Sequence, residues 1–245
     1  MARTPSNTPR AAARQLAGHC GSALITTRTL HALYVDLLRL DDAALEVPAL
    51  DRASFAATLR SLSTREVVYT APEDRASALL RGTTESIFAV QSLEERLARA
   101  TQRALDHSVR GTDDAVVLFT RDAALTEKTW REVLEFAARH LLPLVIVQQQ
   151  AERRKIDLAE LAIECGVPGI AADAIDAVAL YRVVGESLGH ARRGNGPTLV
   201  DAIPFPPATH HDPVAHLRRY LETRSLWSAA LERRLTAQAA HKPAR

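Results

Sequence analysis

Residues 115–150 read AVVLFTRDAALTEKTWREVLEFAARHLLPLVIVQQQ and contain two short runs without a charged or strongly polar residue, Ala115–Phe119 and Pro143–Val147. A strand with one wet face alternates polar and apolar residues. An unbroken apolar run of this length suits a parallel strand covered on both faces. Between the runs, Trp130, Val133, Leu134, Ala137 and Leu141 recur at helical spacing, which predicts a helix from about Thr126 to His140. Two buried parallel strands joined by an amphipathic helix require a crossover and helical cover, so the chain is expected to form a layered α/β sheet.

The rest of the sequence extends that pattern. Thr27 is placed to cap a helix carrying Leu30, Leu33, Tyr34, Leu37 and Leu38, and a second helix is expected near Ala53–Leu62. VVYTAPEDRASALLRG breaks at Pro72 and reads as a short strand and a loop. Ser92 and Glu95 form a capping box, in which hydroxyl and carboxylate satisfy free amide groups. The helix behind it runs through Leu97, Ala100, Ala104 and Leu105 to Gly111. Asp157 and Glu160 repeat the signature before a short helix that Gly166 can close, and Cys165 is expected on that helix. Gly169–Ala172 and Thr198–Ile203 read as further strands, separated by a helix starting at Asp176. Strands alternating with helices indicate a parallel sheet with right-handed crossovers. We read residues 26–240 as a single α/β domain with helical extensions at both ends.

Composition narrows the function classes. The chain has 245 residues, a formal charge of +2, and is 47% hydrophobic and 24% charged. Charges of both signs are mixed along it, which argues against a nucleic-acid or membrane surface. Arg153-Arg154-Lys155 has no aromatic residues interleaved and reads as a solvated helix entrance. No apolar run reaches the length of a membrane span. Residues 1–25 contain Arg3, Arg10 and Arg14 and no acid. They lack the apolar core of a secretory signal and are read as a flexible tail, with an organellar transit peptide as the alternative. Cys20 and Cys165 are too few for a disulfide framework, so a reduced, cytoplasmic setting is expected.

In parallel α/β sheets ligands gather beyond the carboxyl ends of the strands. Asp122 follows one such end and Gln148-Gln149-Gln150 another. A carboxylate with amide oxygens is a hard donor set of the kind Mg²⁺ takes beside phosphate oxygens, although a strand-end aspartate is also an ordinary loop residue. His210-His211-Asp212 is the second polar cluster. It has the residue types for proton transfer or metal binding, while Asp212 before Pro213 is equally a plain helix start.

These blocks resemble a known family, the alpha subunit of thiamine-diphosphate-dependent 2-oxo-acid dehydrogenases. That family shows a strand, a G-D-G motif, a helix of pattern E-A-L-N-x-A, and L-P-V-I-F-V ending in N-N. This chain has VVLF, Arg121-Asp122-Ala123, Glu132-Val133-Leu134-Glu135-Phe136-Ala137, and Leu142 to Val147, without a gap. VPGIAADAIDAVALYRVV, GNGPTLVDAIPF and DPVAHLRRYLETRSLW resemble the family's later motifs, so the likeness runs from about Asp106 to Leu235. It implies the thiamine-diphosphate-binding α/β fold, a parallel sheet flanked by helices. It also implies thiamine diphosphate and Mg²⁺ as cofactors and a beta subunit, in a heterotetramer, that supplies the glutamate activating the thiamine ring. The family decarboxylates a 2-oxo acid and passes the acyl group to the lipoyl arm of an acyltransferase.

Carried over residue by residue, the resemblance makes Asp122 the metal ligand. Asp122, Arg121 and Gln150 become the candidate cofactor-binding residues, and His210 stands near the family's catalytic histidine. The departures fall at the same place. Arg121 and Ala123 replace the two glycines, and Gln150 and Ala151 replace the paired asparagines, the second of which is a metal ligand. The family's diphosphate-binding Tyr-Arg pair falls on Pro72-Glu73, and three cofactor loops are shortened. Arg121 is able either to donate to a diphosphate or to obstruct it. Two functions follow as expectations. One is an alpha-subunit-like protein with an eroded site, weakly active or non-catalytic, that partners a beta subunit or itself. The other is an active alpha subunit holding Mg²⁺ through Asp122, a backbone carbonyl and waters.

Overall fold

The two apolar runs pair with each other. In the computed structural model, which describes residues 25–82, 84–121, 125–149, 156–205 and 212–241, strand β3 (Val116–Thr120) lies parallel to β4 (Leu144–Gln149). Val116 is opposite Leu144 and Thr120 opposite Gln148. Four further strands complete one sheet: β1 (Val67–Thr70), β2 (Ile87–Ala89), β5 (Gly169–Asp173) and β6 (Thr198–Ile203). Their order is β2-β1-β3-β4-β6-β5 and every neighbouring pair is parallel. All six carboxyl ends therefore point to one edge, the edge where the sequence places its cofactor residues. The parallel α/β architecture flanked by helices is the one expected.

Nine α-helices cover the sheet among the described residues: α1 (Thr27–Leu40), α2 (Ala49–Ser61), α3 (Arg75–Arg81), α4 (Leu93–Arg110), α5 (Glu127–Arg139), α6 (Leu158–Glu164), α7 (Ala177–Arg192), α8 (Pro213–Thr223) and α9 (Ala229–Ala240). Strand side chains alternate between two cores, as a period of two demands. Val117, Phe119, Val145, Val147, Val200 and Ala202 join the core beneath α1, α2, α7 and α8. Val116, Leu118, Leu144, Ile146 and Leu199 join the core beneath α4, α5 and α6, around the fully buried Trp130 and Leu134. The first face carries a second helical layer, because α1 packs on α2 and α9 packs on α1.

Caps explain most helix boundaries. Ser92, Thr126, Asp157, Asp176 and Asp212 each accept a backbone N–H with the side chain, as the sequence suggests. At α1 the cap is Thr26 rather than Thr27. Thr26 keeps an extended backbone and its hydroxyl accepts from Thr29 N at 3.1 Å, while Thr27 is already helical. Helix α2 starts four residues earlier than expected, directly behind Pro48. Residues 75–81, expected as loop, form α3, which Gly82 ends with φ +65°. Strand β2 was not anticipated. It has three residues and is half-exposed, too short for periodicity to register. Gln148 and Gln149 extend β4 two residues beyond its apolar run.

Candidate cofactor site at the carboxyl edge

Arg121 is the first residue beyond β3, and strand alternation directs its side chain to the α2 face. There its Nε donates to Asp51 Oδ2 at 2.7 Å, and Nη2 lies 2.7 Å from Asp74 Oδ1. The second contact is a close ion pair without the alignment of a hydrogen bond, since Asp74 Oδ1 accepts none. Both carboxylates are almost fully buried, with side chains 4% and 3% exposed, whereas the Arg121 side chain is 36% exposed. Asp51 comes from the first turn of α2, where an acid also suits the helix dipole. Asp74 precedes α3 and is fixed through its other oxygen by Thr70 Oγ1 at 2.7 Å and Ala71 N at 3.2 Å. One guanidinium thus ties α2, β3 and the β1–α3 turn together.

The neighbouring strand ends are closed in the same way. Arg96, buried on α4, donates Nε to Val90 O at 2.9 Å, Nη1 to Phe119 O at 3.2 Å and Nη2 to Gln91 O at 3.3 Å. Burial lowers its pKa below the usual arginine value, the carboxylates of Asp74 and Glu73 oppose that shift, and Arg121 adds to it. Gln149, at the end of β4, donates to Ser54 Oγ at 2.7 Å and lies 3.5 Å from Asp51 O. Gln148 turns to the opposite face and donates to Gln149 O at 3.0 Å. Its Cα neighbours across the sheet are Thr120 and Asp201, both buried.

A magnesium diphosphate needs converging oxygen donors and an excess of positive charge or free N–H groups. Two buried amide oxygens, Gln148 Oε1 and Gln149 Oε1, lack hydrogen bonds, but successive residues of a strand face opposite sides of the sheet and do not converge on one ion. At the end of β3 the Arg121 guanidinium is engaged by two carboxylates and, as placed, offers a diphosphate no uncompensated charge, whereas Arg75, the first residue of α3, is exposed at the end of β1. Among the described residues, no group of three or more His, Cys, Asp or Glu side chains could hold a metal.

Of the residues singled out in the sequence, Arg121 is at this edge. Asp122, Gln150 and His210 lie outside the described residues, as do Ala151 and Arg153-Arg154-Lys155. Asp212 is a helix cap, accepting Ala215 N at 2.9 Å, with Pro213 at the start of α8. Asp51, Ser54, Asp74 and Arg96 were missed. Asp74 stands beside Pro72-Glu73 and a position one residue along would have found it. Asp51 carries no local signal, because an acid in a first helical turn is ordinary.

At the amino edge, a cavity of about 410 Å³ is lined by Arg139, Cys165, His190 and Asn195 among others. Burial raises the Cys165 thiol and lowers the His190 imidazole from their usual values, the reverse of an activated thiolate–imidazolium pair.

Residues 73–212, more than half of the chain, match the sequence profile described as Dehydrogenase E1 component. The chain belongs to this family. The E1-type chain is also 31% identical over 159 residues to the 3-methyl-2-oxobutanoate dehydrogenase subunit alpha of Mycobacterium tuberculosis, over 53% of its own length and 43% of that relative. It is 26% identical over 161 residues to the pyruvate dehydrogenase E1 component subunit alpha of Staphylococcus aureus, over 53% of its own length and 44% of the relative. The match thus spans less than half the length of these curated relatives. A solved structure assigned as a thiamin diphosphate-dependent enzyme from Mycobacterium smegmatis is similar with a TM-score of 0.44 and 21% identity, over 62% of this chain and 32% of that one. The E1-type chain is alpha-subunit-like, and no helix among its described residues is long and apolar enough to cross a membrane.

Proposed function

We propose that this E1-type chain is a non-catalytic alpha-type subunit, a partner of a beta subunit in a 2-oxo-acid dehydrogenase assembly, without thiamine diphosphate of its own. The observation that supports it is the position of Arg121. Its guanidinium is neutralised by Asp51 and Asp74 at the strand ends, where the family resemblance calls for glycine and a diphosphate. An anion entering there meets two buried carboxylates, and freeing Arg121 to bind it leaves both carboxylates without that guanidinium.

Isothermal titration calorimetry with thiamine diphosphate and Mg²⁺ tests this reading, on the full chain co-expressed with its beta subunit. No saturable heat at millimolar ligand is expected. Micromolar binding that Asp122→Ala abolishes would overturn it in favour of an active subunit holding its metal through Asp122.

A further inference from the structure

The amino-edge cavity of about 410 Å³ has the volume of a small-molecule site. Its walls come from the carboxyl ends of α5, α6 and α7 and from the turns that lead into β4, β5 and β6. Two opposite charges line it, Glu135 and Arg139, four residues apart on α5. Acid before base at this spacing is the favourable order for an ion pair on a helix. Elsewhere in the chain the same spacing closes such pairs, Glu95–Arg99 at 2.6 Å, Glu127–Arg131 at 3.0 Å and Arg218–Glu222 at 2.9 Å. Glu135 and Arg139 are not paired, and among the described residues neither side chain takes part in a hydrogen bond or ion pair.

The other titratable groups of the lining add no charge. Burial raises the Cys165 thiol, with Arg131 opposing the rise and Glu135 adding to it. Burial and then Arg193 lower the His190 imidazole, so thiol and imidazole are both neutral at pH 7. The lining therefore carries one negative and one positive charge. Leu141, Pro168 and Pro197 form its apolar part. Leu141 has φ +48° in the turn that ends α5, closed by Leu141 N to Ala138 O at 3.2 Å and Leu142 N to Ala137 O at 3.0 Å. Glycine is the usual residue at this point of the turn, because a Cβ disfavours the left-handed conformation. Leu141 is also 54% exposed, so burial within the fold does not offset that strain. Its side chain lies over Gly196, where a Cβ would stand 3.3 Å from Leu141 Cδ2.

We propose that this cavity binds an α-amino acid with an aliphatic side chain, its carboxylate on Arg139, its ammonium on Glu135 and its side chain against Leu141. The charge pattern selects this class. A guanidinium matches a carboxylate through two parallel N–H donors, and Glu135 gives the ammonium an acceptor of opposite charge. A carboxylate without an amine leaves Glu135 uncompensated, and an amine without a carboxylate leaves Arg139 so. Leu141, strained and exposed in the free chain, gains an apolar neighbour when the ligand is bound. The site lies at the sheet edge opposite Arg121, so it does not depend on whether the carboxyl edge binds a cofactor.

Isothermal titration calorimetry of L-leucine into the full chain tests it. A dissociation constant on the order of 0.1–1 mM is expected for so small a ligand. Isocaproate, which lacks the ammonium, and isoamylamine, which lacks the carboxylate, should each bind at least about tenfold more weakly. Glu135→Gln should remove most of the advantage of leucine over isocaproate, and Arg139→Gln most of its advantage over isoamylamine. Leu141→Gly relieves the backbone strain, so it should keep or raise Tm while weakening leucine several-fold, a split that a purely structural leucine would not give. No saturable heat with leucine at about 20 mM overturns the proposal. So does isocaproate or isoamylamine binding as tightly as leucine, or a leucine affinity left unchanged by any of the three variants.

Discussion

Replacing Arg121 by Met keeps most of the side-chain volume and removes the charge from the carboxyl-edge cluster. Two carboxylates, 4% and 3% exposed, then lose the guanidinium that approaches each at 2.7 Å. Breaking a fully buried pair costs roughly 3–5 kcal/mol, because a charge is left without compensation. Arg121 is 36% exposed, so water reaches its place and part of that cost is relieved. A net loss of about 2–3 kcal/mol at pH 7 follows, or a fall of roughly 5–10 °C in Tm for a chain of this size. Arg121→Lys keeps a positive charge beside the two carboxylates and should lose less than Arg121→Met, which distinguishes the charge from a packing effect. Urea unfolding at pH 7, with the urea dependence of stability checked for constancy, measures both losses. A deficit below about 0.5 kcal/mol for Arg121→Met, or one equal in the two variants, would refute the claim that Arg121 holds this edge together.

Two other sites give independent tests. A Cβ on Gly169 would lie 1.9 Å from Ala159 O and 2.7 Å from its carbonyl carbon, so α6 must move off β5, and Gly169→Ala should cost about 3 kcal/mol or more in thermal unfolding. Asp36 is buried on α1 against Arg60, whose Nε donates to Oδ2 at 2.8 Å, and burial raises its pKa above 3.8 despite Arg60 and Arg39. A raised folded-state value means the wild type loses stability relative to Asp36→Asn as pH climbs from about 4 through that value, and pH-dependent unfolding of the pair should show this slope.

The elements that could be read from the sequence are those whose cause is local. Unbroken apolar runs at 116–119 and 144–147 report a strand buried on both sides, and Ser92, Asp157 and Asp176 report helix starts through hydroxyls and carboxylates that satisfy nearby amides. Helix α3 escaped because Pro72 suggests a break, and the chain does turn there before Arg75 begins the helix. Gln148 and Gln149 escaped as strand residues for the opposite reason. A polar pair looks like the end of a strand, yet Gln149 remains in the sheet because Ser54 accepts from it.

The carboxyl edge was legible in position and not in content. Parallel pairing follows from the same patterns that bring the edge together, so Arg121 could be placed at that edge from sequence. Its two opposite outcomes, donating to a phosphate or filling its space, depend on what stands across from it. That is decided by Asp51, which is 70 residues away in sequence and unremarkable in the first turn of its helix. A cationic side chain at a strand end becomes a ligand for an anion only if the fold leaves it uncompensated. Here the fold brings two buried carboxylates to it, and the proposed function rests on that compensation.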